Sequence, residues 1–133
     1  MKITTRIVLA LLFLAGLATV LYFTLVPNIR GRLFYVLPRP IAYWCGSHDN
    51  LANIAAFAVL GTLGYWASRA LGGRRAWLIA MLVLVCGLEF AQLRIEGRNS
   101  SLWDVVMGWT GVLGAWFGCV WIDRRLRKPP ASQ

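Results

Sequence analysis

The sequence predicts an all-α protein, a four-helix transmembrane bundle that forms one integral membrane domain. Of its 133 residues, 59% are hydrophobic and only 14% are charged, whereas a soluble domain is about one quarter charged. The mean hydropathy is +0.62, and four separate stretches are apolar enough to be membrane spans. The composition excludes a disordered chain, and three cysteines without a CxxC pair indicate neither a disulfide framework nor a zinc site.

Each predicted span meets the length that a bilayer requires. About 30 Å of hydrocarbon is crossed at about 1.5 Å per residue, so a spanning helix needs about 20 mostly apolar residues. The predicted spans are residues 7–26, 51–71, 76–93 and 102–122. The first follows Lys2 and Arg6, as a signal peptide would, but its apolar run continues past the tolerable cleavage site near Gly16. An uncleaved first span is therefore expected.

The connecting segments differ in length and composition. Residues 27–50 are predicted to form one long loop after the first helix, because Pro27, Pro38 and Pro40 act as helix breakers. Within it, residues 29–37 are a candidate for lying in the membrane plane. Residues 72–75 predict a tight turn, so the second and third helices should be antiparallel neighbours. Residues 94–101 predict a polar loop, and residues 123–133 a basic tail.

Lysine and arginine are divided unevenly between the two sides of the predicted bundle. Nine lie on the side with both termini and the turn at residues 72–75, and five lie on the other side. The positive-inside rule therefore predicts a multi-pass protein of the cytoplasmic (inner) membrane, with both termini in the cytoplasm and the long loop periplasmic or exoplasmic. The same distribution explains the net charge of +9 without a nucleic-acid partner, and no RNA-binding motif is present.

Most acidic residues are predicted at the outer side of the bundle. Because the helices alternate in direction, the polar residues that gather there are His48, Asp49, Asn53, Glu89, Gln92, Glu96, Arg98 and Asp104. Glu89 and Gln92 are three residues apart and share one helix face. Glu89 lies about 20 Å along its helix, and a carboxylate facing lipid at the bilayer centre costs about 2.5–3.5 kcal/mol. We therefore expect Glu89 to face the bundle interior or a wet cleft, with Arg98 as its partner.

Structural interpretations stay open for several of these residues. Ser101 and Asp104 fit a helix-capping box, and Asp49 fits an N-cap. Asn53 can equally form an interhelical hydrogen bond or contact a ligand. Glu89 favours a functional interpretation, because an ionisable group within a span is a functional hypothesis by default.

Small residues predict two helix-packing faces. One face, which also carries Asp104, lies on the fourth helix, and the other begins at Asn53 on the second. The glycines concerned are Gly61, Gly64, Gly108, Gly111, Gly114 and Gly118. Small residues let helices approach closely in lipid, so these faces should bring the polar residues together near the outer surface.

The same residues resemble a known family. The run from Asn53 to Gly61 is similar to the segment NxxxFxPLG, with Val59 in place of proline, and Glu89-Phe90-Ala91-Gln92 is similar to ExxQ. Arg98, Asp104 and Gly111 are similar to the R…D…G run into the last helix. In this order, over residues 49–118, the chain resembles VanZ-like membrane proteins, named for a protein associated with resistance to the glycopeptide antibiotic teicoplanin. The family often has asparagine where this chain has Gly108.

The resemblance implies a small polytopic protein of the cytoplasmic membrane that acts on the outer side of the cell envelope. It does not supply a reaction. The favoured function is binding of an anionic or lipid-linked envelope component, such as a cell-wall precursor, by the cluster Asp49, Asn53, Glu89, Gln92, Arg98 and Asp104. Arginines would contact phosphate or carboxylate, and the neighbouring acids and amides would orient them.

Two alternatives belong to other functional classes. An intramembrane hydrolase or transferase acting on a lipid head group would use Glu89 and Asp104 as acid–base or metal-binding groups. A structural subunit of a membrane complex, or an oligomer, would use the glycine faces for partner helices. No catalytic residue, cofactor or metal ion is assigned, since the set Cys45, His48, Asp49 and Glu89 matches no established metal-ligand spacing.

Overall fold

The computed structural model describes residues 3–27, 35, 37–95 and 101–126. Within this part of the chain nearly all residues are helical and none forms a strand. In chain order the helices are α1 (Ile3–Leu25), α2 (Arg39–Ser47), α3 (Asp49–Leu71), α4 (Arg74–Gln92) and α5 (Leu102–Leu126). The predicted all-α fold class is therefore confirmed.

Four of the helices, α1, α3, α4 and α5, are long and apolar enough to cross a membrane. Their bounds agree with the predicted spans to within about one helical turn at each end. The largest differences are four residues each: α1 begins at Ile3, and α5 continues through Asp123 to Leu126, so the first residues of the basic tail are helical. Arg124 and Arg125 lie in the last turn of α5, where a positive charge interacts favourably with the helix dipole. That both termini are cytoplasmic stays a prediction.

The helix α2 occupies part of the segment predicted as a long loop. Pro38 precedes this helix and Pro40 lies in its first turn, where the missing amide hydrogen removes no helical hydrogen bond. The amides of Ile41 and Ala42 donate to the carbonyl of Pro38 over 2.9 and 3.0 Å. Pro38 and Pro40 therefore start a helix, and the prediction of a loop with these prolines as helix breakers is wrong over Arg39–Ser47. Most of the in-plane candidate, residues 29–37, lies outside the described residues.

The turn between α3 and α4 consists of two glycines. Gly72 and Gly73 have φ angles of 87° and 74°, in the region that favours glycine, and the amide of Gly72 donates to the carbonyl of Ser68 over 2.7 Å. This short connection makes α3 and α4 antiparallel neighbours, as the sequence predicts.

The centre of the bundle is the crossing of α3 and α5. A Cβ atom added at Gly111 would overlap the carbonyl oxygen of Ile54 and lie 3.0 Å from the amide nitrogen of Ala58. A Cβ atom added at Gly61 would lie 3.1 Å from the Cα atom of Val112. The two backbones are therefore in direct contact, and a larger residue would force them apart at Gly111 and crowd them at Gly61.

Two further glycines line the space that α4 fills. A Cβ atom at Gly108 would lie 2.7 Å from Cγ1 of Val85, and one at Gly64 would lie 3.6 Å from the sulfur of Met81. Val85 and Met81 are both buried. Side chains of α4 therefore fill the space beside the α3–α5 crossing.

Gly114 and Gly118 do not belong to this packing face. Both are exposed, and a Cβ atom added at either would meet nothing within 4 Å. The buried face of α5 follows Val112, Trp116 and Cys119 instead. The prediction that these two glycines pack within the bundle is therefore wrong.

The helix α1 lies at the edge of the bundle. Of its residues only Phe13 is buried, and its ring meets the ring of Trp77 edge to face at 5.2 Å. The remaining large apolar side chains of α1 are half-buried or exposed, as expected for a helix surrounded largely by lipid. The core is therefore formed by α3, α4 and α5, and these helices position the polar residues.

Candidate functional site

Five predicted site residues lie at one end of the bundle, where α3 and α5 begin and α4 ends. We call this the acidic end, and define it by Asp49, Asn53, Glu89, Gln92 and Asp104. The antiparallel order of the three helices places these residues at the same end, where Asn53 contacts Asp104. Arg98, the predicted partner of Glu89, and Glu96 lie outside the described residues.

Glu89 and Gln92 face the interior of the bundle. Their exposed fractions are 6% and 9%, whereas that of Phe90, between them in the chain, is 62%. Val85 and Leu88 are buried on the same face of α4, which makes Glu89 and Gln92 the polar continuation of an apolar packing surface. Glu89 is therefore enclosed by protein, as expected for a carboxylate within a candidate span.

Asn53 links two helices. Its Nδ2 atom donates a hydrogen bond of 3.1 Å to the backbone carbonyl oxygen of Asp104, which joins the first turn of α5 to α3. The interhelical hydrogen bond was one of two interpretations of this residue, and it is present.

Asp104 caps its own helix. The amide and the hydroxyl of Ser101 donate to Oδ2 of Asp104 over 3.1 and 2.8 Å, and the amide of Asp104 lies 3.3 Å from the hydroxyl oxygen of Ser101. These contacts form the reciprocal capping box that the sequence indicates. The carboxylate is thus oriented toward the start of α5.

Asp49 lies one residue inside its helix and not at the cap. The N-cap position of α3 is His48, whose side chain makes no capping hydrogen bond. Asp49 occupies the first turn and is exposed, where a carboxylate interacts favourably with the helix dipole. The N-cap interpretation of Asp49 is therefore wrong by one position.

A serine and a histidine are in contact where α2 meets α3. The hydroxyl oxygen of Ser47 lies 2.9 Å from Nδ1 of His48, and the same hydroxyl donates to the carbonyl of Tyr43 over 2.8 Å. The imidazole stacks on the ring of Trp44 at 5.4 Å. These contacts tie both residues to the end of α2. Among the described residues, no three His, Cys, Asp or Glu side chains are grouped so that they could hold a metal ion.

The acidic end is suited to recognition by hydrogen bonds and charge. An ionised Glu89 is an acceptor, whereas the carboxamide of Gln92 both donates and accepts. Such groups interact more strongly in the low-dielectric interior of a bundle than in water. Side by side and nearly buried, they can orient an arginine or the polar head of a ligand.

The sequence interpretation missed a second polar cluster at the opposite end. Asp123 is only 4% exposed, accepts a hydrogen bond of 3.2 Å from the hydroxyl of Tyr65, and forms ion pairs with Arg69 and with Arg74, the latter at 3.5 Å. The available signal was that Asp123 is the one acidic residue that the sequence places at this basic end. The sequence analysis assigns Asp123 only to the basic tail, without a partner.

A comparison with protein families identifies the chain. A family model described as VanZ/LLP1 matches residues 7–123, which is most of the sequence. The chain belongs to the VanZ/LLP1 family. The resemblance over residues 49–118 is thereby confirmed, and the VanZ/LLP1 match extends it through α1 and to Asp123 in α5.

Membership of the VanZ/LLP1 family and the four apolar helices together indicate a membrane protein. The six residues of the predicted polar cluster, including Arg98, fall within the matched range. Comparisons with curated proteins and with solved structures gave no match.

Proposed function

We propose that this VanZ/LLP1-family protein is a non-enzymatic component of the bacterial cell envelope. Its acidic end binds an anionic or lipid-linked envelope component, such as a cell-wall precursor, and thereby contributes to glycopeptide (teicoplanin) resistance. The observation that carries the proposal is the burial of Glu89 beside Gln92 within a helix apolar enough to cross a membrane. An ionisable group in such a position is costly to keep, which supports a functional role.

In this proposal Arg98 supplies the positive charge. It lies in the sequence between the end of α4 and the start of α5, three residues from Ile95 and three from Ser101. A guanidinium group has five donors, so it can bind a carboxylate and still donate to a phosphate. Glu89 would hold the guanidinium group in place, and the phosphate or carboxylate of the ligand would take the remaining donors.

The capping of α5 and the link from Asn53 support this geometry. They hold the start of α5 against α3, so the polar segment before Ser101 is attached to a rigid helix start. Binding groups on a packed scaffold lose less conformational entropy when they meet a ligand than groups on a free loop.

Substitution of single groups at the acidic end tests the proposal. Glu89→Gln, Arg98→Ala and Asp104→Asn are compared with Arg94→Ala, a matched control in which an exposed arginine is removed from the same side of the bundle. Each variant is scored for abundance in the membrane and for sensitivity of the cells to teicoplanin. We expect Glu89→Gln and Arg98→Ala to change sensitivity at normal abundance, whereas the control does not.

The two readouts separate function from folding. Wild-type sensitivity in Arg98→Ala at normal abundance would overturn the proposal. A loss of abundance in proportion to the loss of resistance, in every variant, would make these residues structural and would also overturn it.

A further inference from the structure

We call the end of the bundle where α3 and α5 end and α4 begins the basic end. The cluster of charged residues there takes no part in the proposed function. It joins Arg69 of α3, Arg74 of α4 and Asp123 of α5, and the ring of Tyr65 lies beneath it. Tyr65 has no exposed surface and Asp123 is 4% exposed. A cluster of charged side chains, in which Asp123 and Tyr65 are buried, therefore lies where the end of α5 meets the α3–α4 turn.

Both arginines are held on two sides. The guanidinium carbon of Arg69 lies 5.3 Å from the ring centre of Trp66, and that of Arg74 lies 5.3 Å from the ring centre of Tyr65. Asp123 pairs with both guanidinium groups. Aromatic faces and a buried carboxylate thus fix the direction of two side chains that are otherwise flexible.

The arginines also keep an accessible surface. Their side chains are 32% and 41% exposed, whereas that of Asp123 is 5% exposed. Two guanidinium groups carry about ten N–H donors, and one carboxylate has about four acceptor positions. One of those positions takes the hydroxyl of Tyr65. Asp123 alone cannot satisfy both arginines, so their outward donors can receive a second anion.

The surroundings favour an anion that belongs to the membrane. Arg75, Arg124 and Arg125 are exposed at the same end, and within the described part of the chain Asp123 is the one acidic residue there. Trp66 lies against Arg69 and Trp121 against Arg125, and tryptophan is typical of the level of the lipid head groups. Exposed apolar surface of α5, including Ile122, continues from this end along the helix, where acyl chains can lie.

We propose that the Arg69–Arg74 pair, positioned by Asp123, binds the phosphate of an anionic phospholipid head group. Two guanidinium groups that share a carboxylate present a pair of forks, and this geometry suits a phosphate diester. Asp123 is a positioning residue in this site, since it acts through the two arginines.

Lipid titration of the purified full chain tests the site. In native mass spectrometry from detergent, we expect the protein to retain phosphatidylglycerol in preference to phosphatidylcholine, and inorganic phosphate at the same concentration not to displace it. Equal retention of the two lipids would overturn the proposal without any variant. Displacement by inorganic phosphate would overturn the assignment to a lipid.

A matched pair of substitutions separates a site from a general basic surface. Arg74→Gln should weaken retention of phosphatidylglycerol by more than about tenfold, because charge-assisted hydrogen bonds are lost. Arg124→Gln removes the same charge from an exposed position, and should weaken retention by at most about fivefold, the general contribution of one basic residue near an anionic surface. Equal losses in the two variants would overturn the proposal.

Asp123→Asn gives a test of opposite sign. It makes the protein more positive by one charge, so a general basic surface would bind phosphatidylglycerol more tightly. Positioning by Asp123 predicts the reverse, a weakening of about fivefold or more in a variant that retains the helix content of the wild type. Tighter binding by folded Asp123→Asn would overturn the positioning role.

Discussion

The contact between the backbones of α3 and α5 makes Gly111→Ala the sharpest test of the fold. The added Cβ atom would overlap the carbonyl oxygen of Ile54 and approach the amide nitrogen of Ala58 to 3.0 Å. Both atoms belong to helical backbone and cannot rotate away as a side chain would. The two helices would have to separate by on the order of 1 Å to restore ordinary van der Waals contact.

This separation would loosen the whole crossing. Overpacking of a well-packed core costs about 1–3 kcal/mol, and we expect Gly111→Ala to lower the free energy of unfolding by that amount. The same substitution also adds helix propensity, worth up to about 1 kcal/mol in water, which acts in the opposite direction. A control substitution must therefore measure propensity without the overlap.

Gly114→Ala is that control, because it lies three residues further along α5 and its added Cβ atom meets nothing within 4 Å. The free energy of unfolding is measured in mixed detergent micelles, by the tryptophan fluorescence and helix content of the purified protein as the denaturing detergent is increased. Gly61→Ala, whose Cβ atom would lie 3.1 Å from the Cα atom of Val112, should fall between the two.

Equal stability of Gly111→Ala and Gly114→Ala would refute the reasoning, since it would mean that α3 and α5 do not touch at Gly111. A smaller loss in Gly111→Ala than in Gly61→Ala would contradict the order of the two contacts.

The remaining predictions use the same unfolding measurement. Tyr65→Phe removes the hydroxyl that donates to the buried carboxylate of Asp123 over 3.2 Å, and should lower the free energy of unfolding by about 1–2 kcal/mol. Its control, Tyr22→Phe, changes a tyrosine that is 44% exposed and should stay within about 0.5 kcal/mol of wild type. Ser101→Ala removes one half of the capping box and should cost about 1 kcal/mol, unlike Thr110→Ala, whose hydroxyl bonds only within its own helix turn. Asn53→Ala breaks the link to the start of α5 and should cost about 0.6 kcal/mol, the average for an interhelical hydrogen bond in a membrane protein. A variant as stable as its control, or an Asn53→Ala protein as stable as wild type, would contradict the corresponding contact.

The candidate spans could be predicted from the sequence because length and hydropathy determine them almost alone. The inward direction of Glu89 and Gln92 also follows from local rules, since three residues of spacing place them on one face and the cost of a lipid-facing carboxylate selects the interior. The capping box of Ser101 and Asp104 is equally local, because its partners are three residues apart.

What the sequence could not show depends on how the helices are rotated about their axes. The stripe that includes Gly118 has the right spacing for a packing face, but the buried surface of α5 is turned toward Val112 and Trp116. The pairing of Asp123 with Arg69 and Arg74 joins residues from three helices, and no spacing within one helix indicates it. In α2, proline suggests a helix breaker from the sequence, although it also favours a helix start.

The direct backbone contact between α3 and α5 has a consequence for the order in which the helices assemble in the membrane. The last helix of the described chain touches the second span directly, whereas the intervening span, α4, follows α3 through a two-glycine turn. The hairpin of α3 and α4 can therefore insert into the bilayer before α5 packs against it. Asn53 at one end and Tyr65 at the other acquire their partners only when α5 docks. The contacts at both polar ends are thus completed when α5 docks, and a defect at the glycine crossing would disturb both ends of the bundle together.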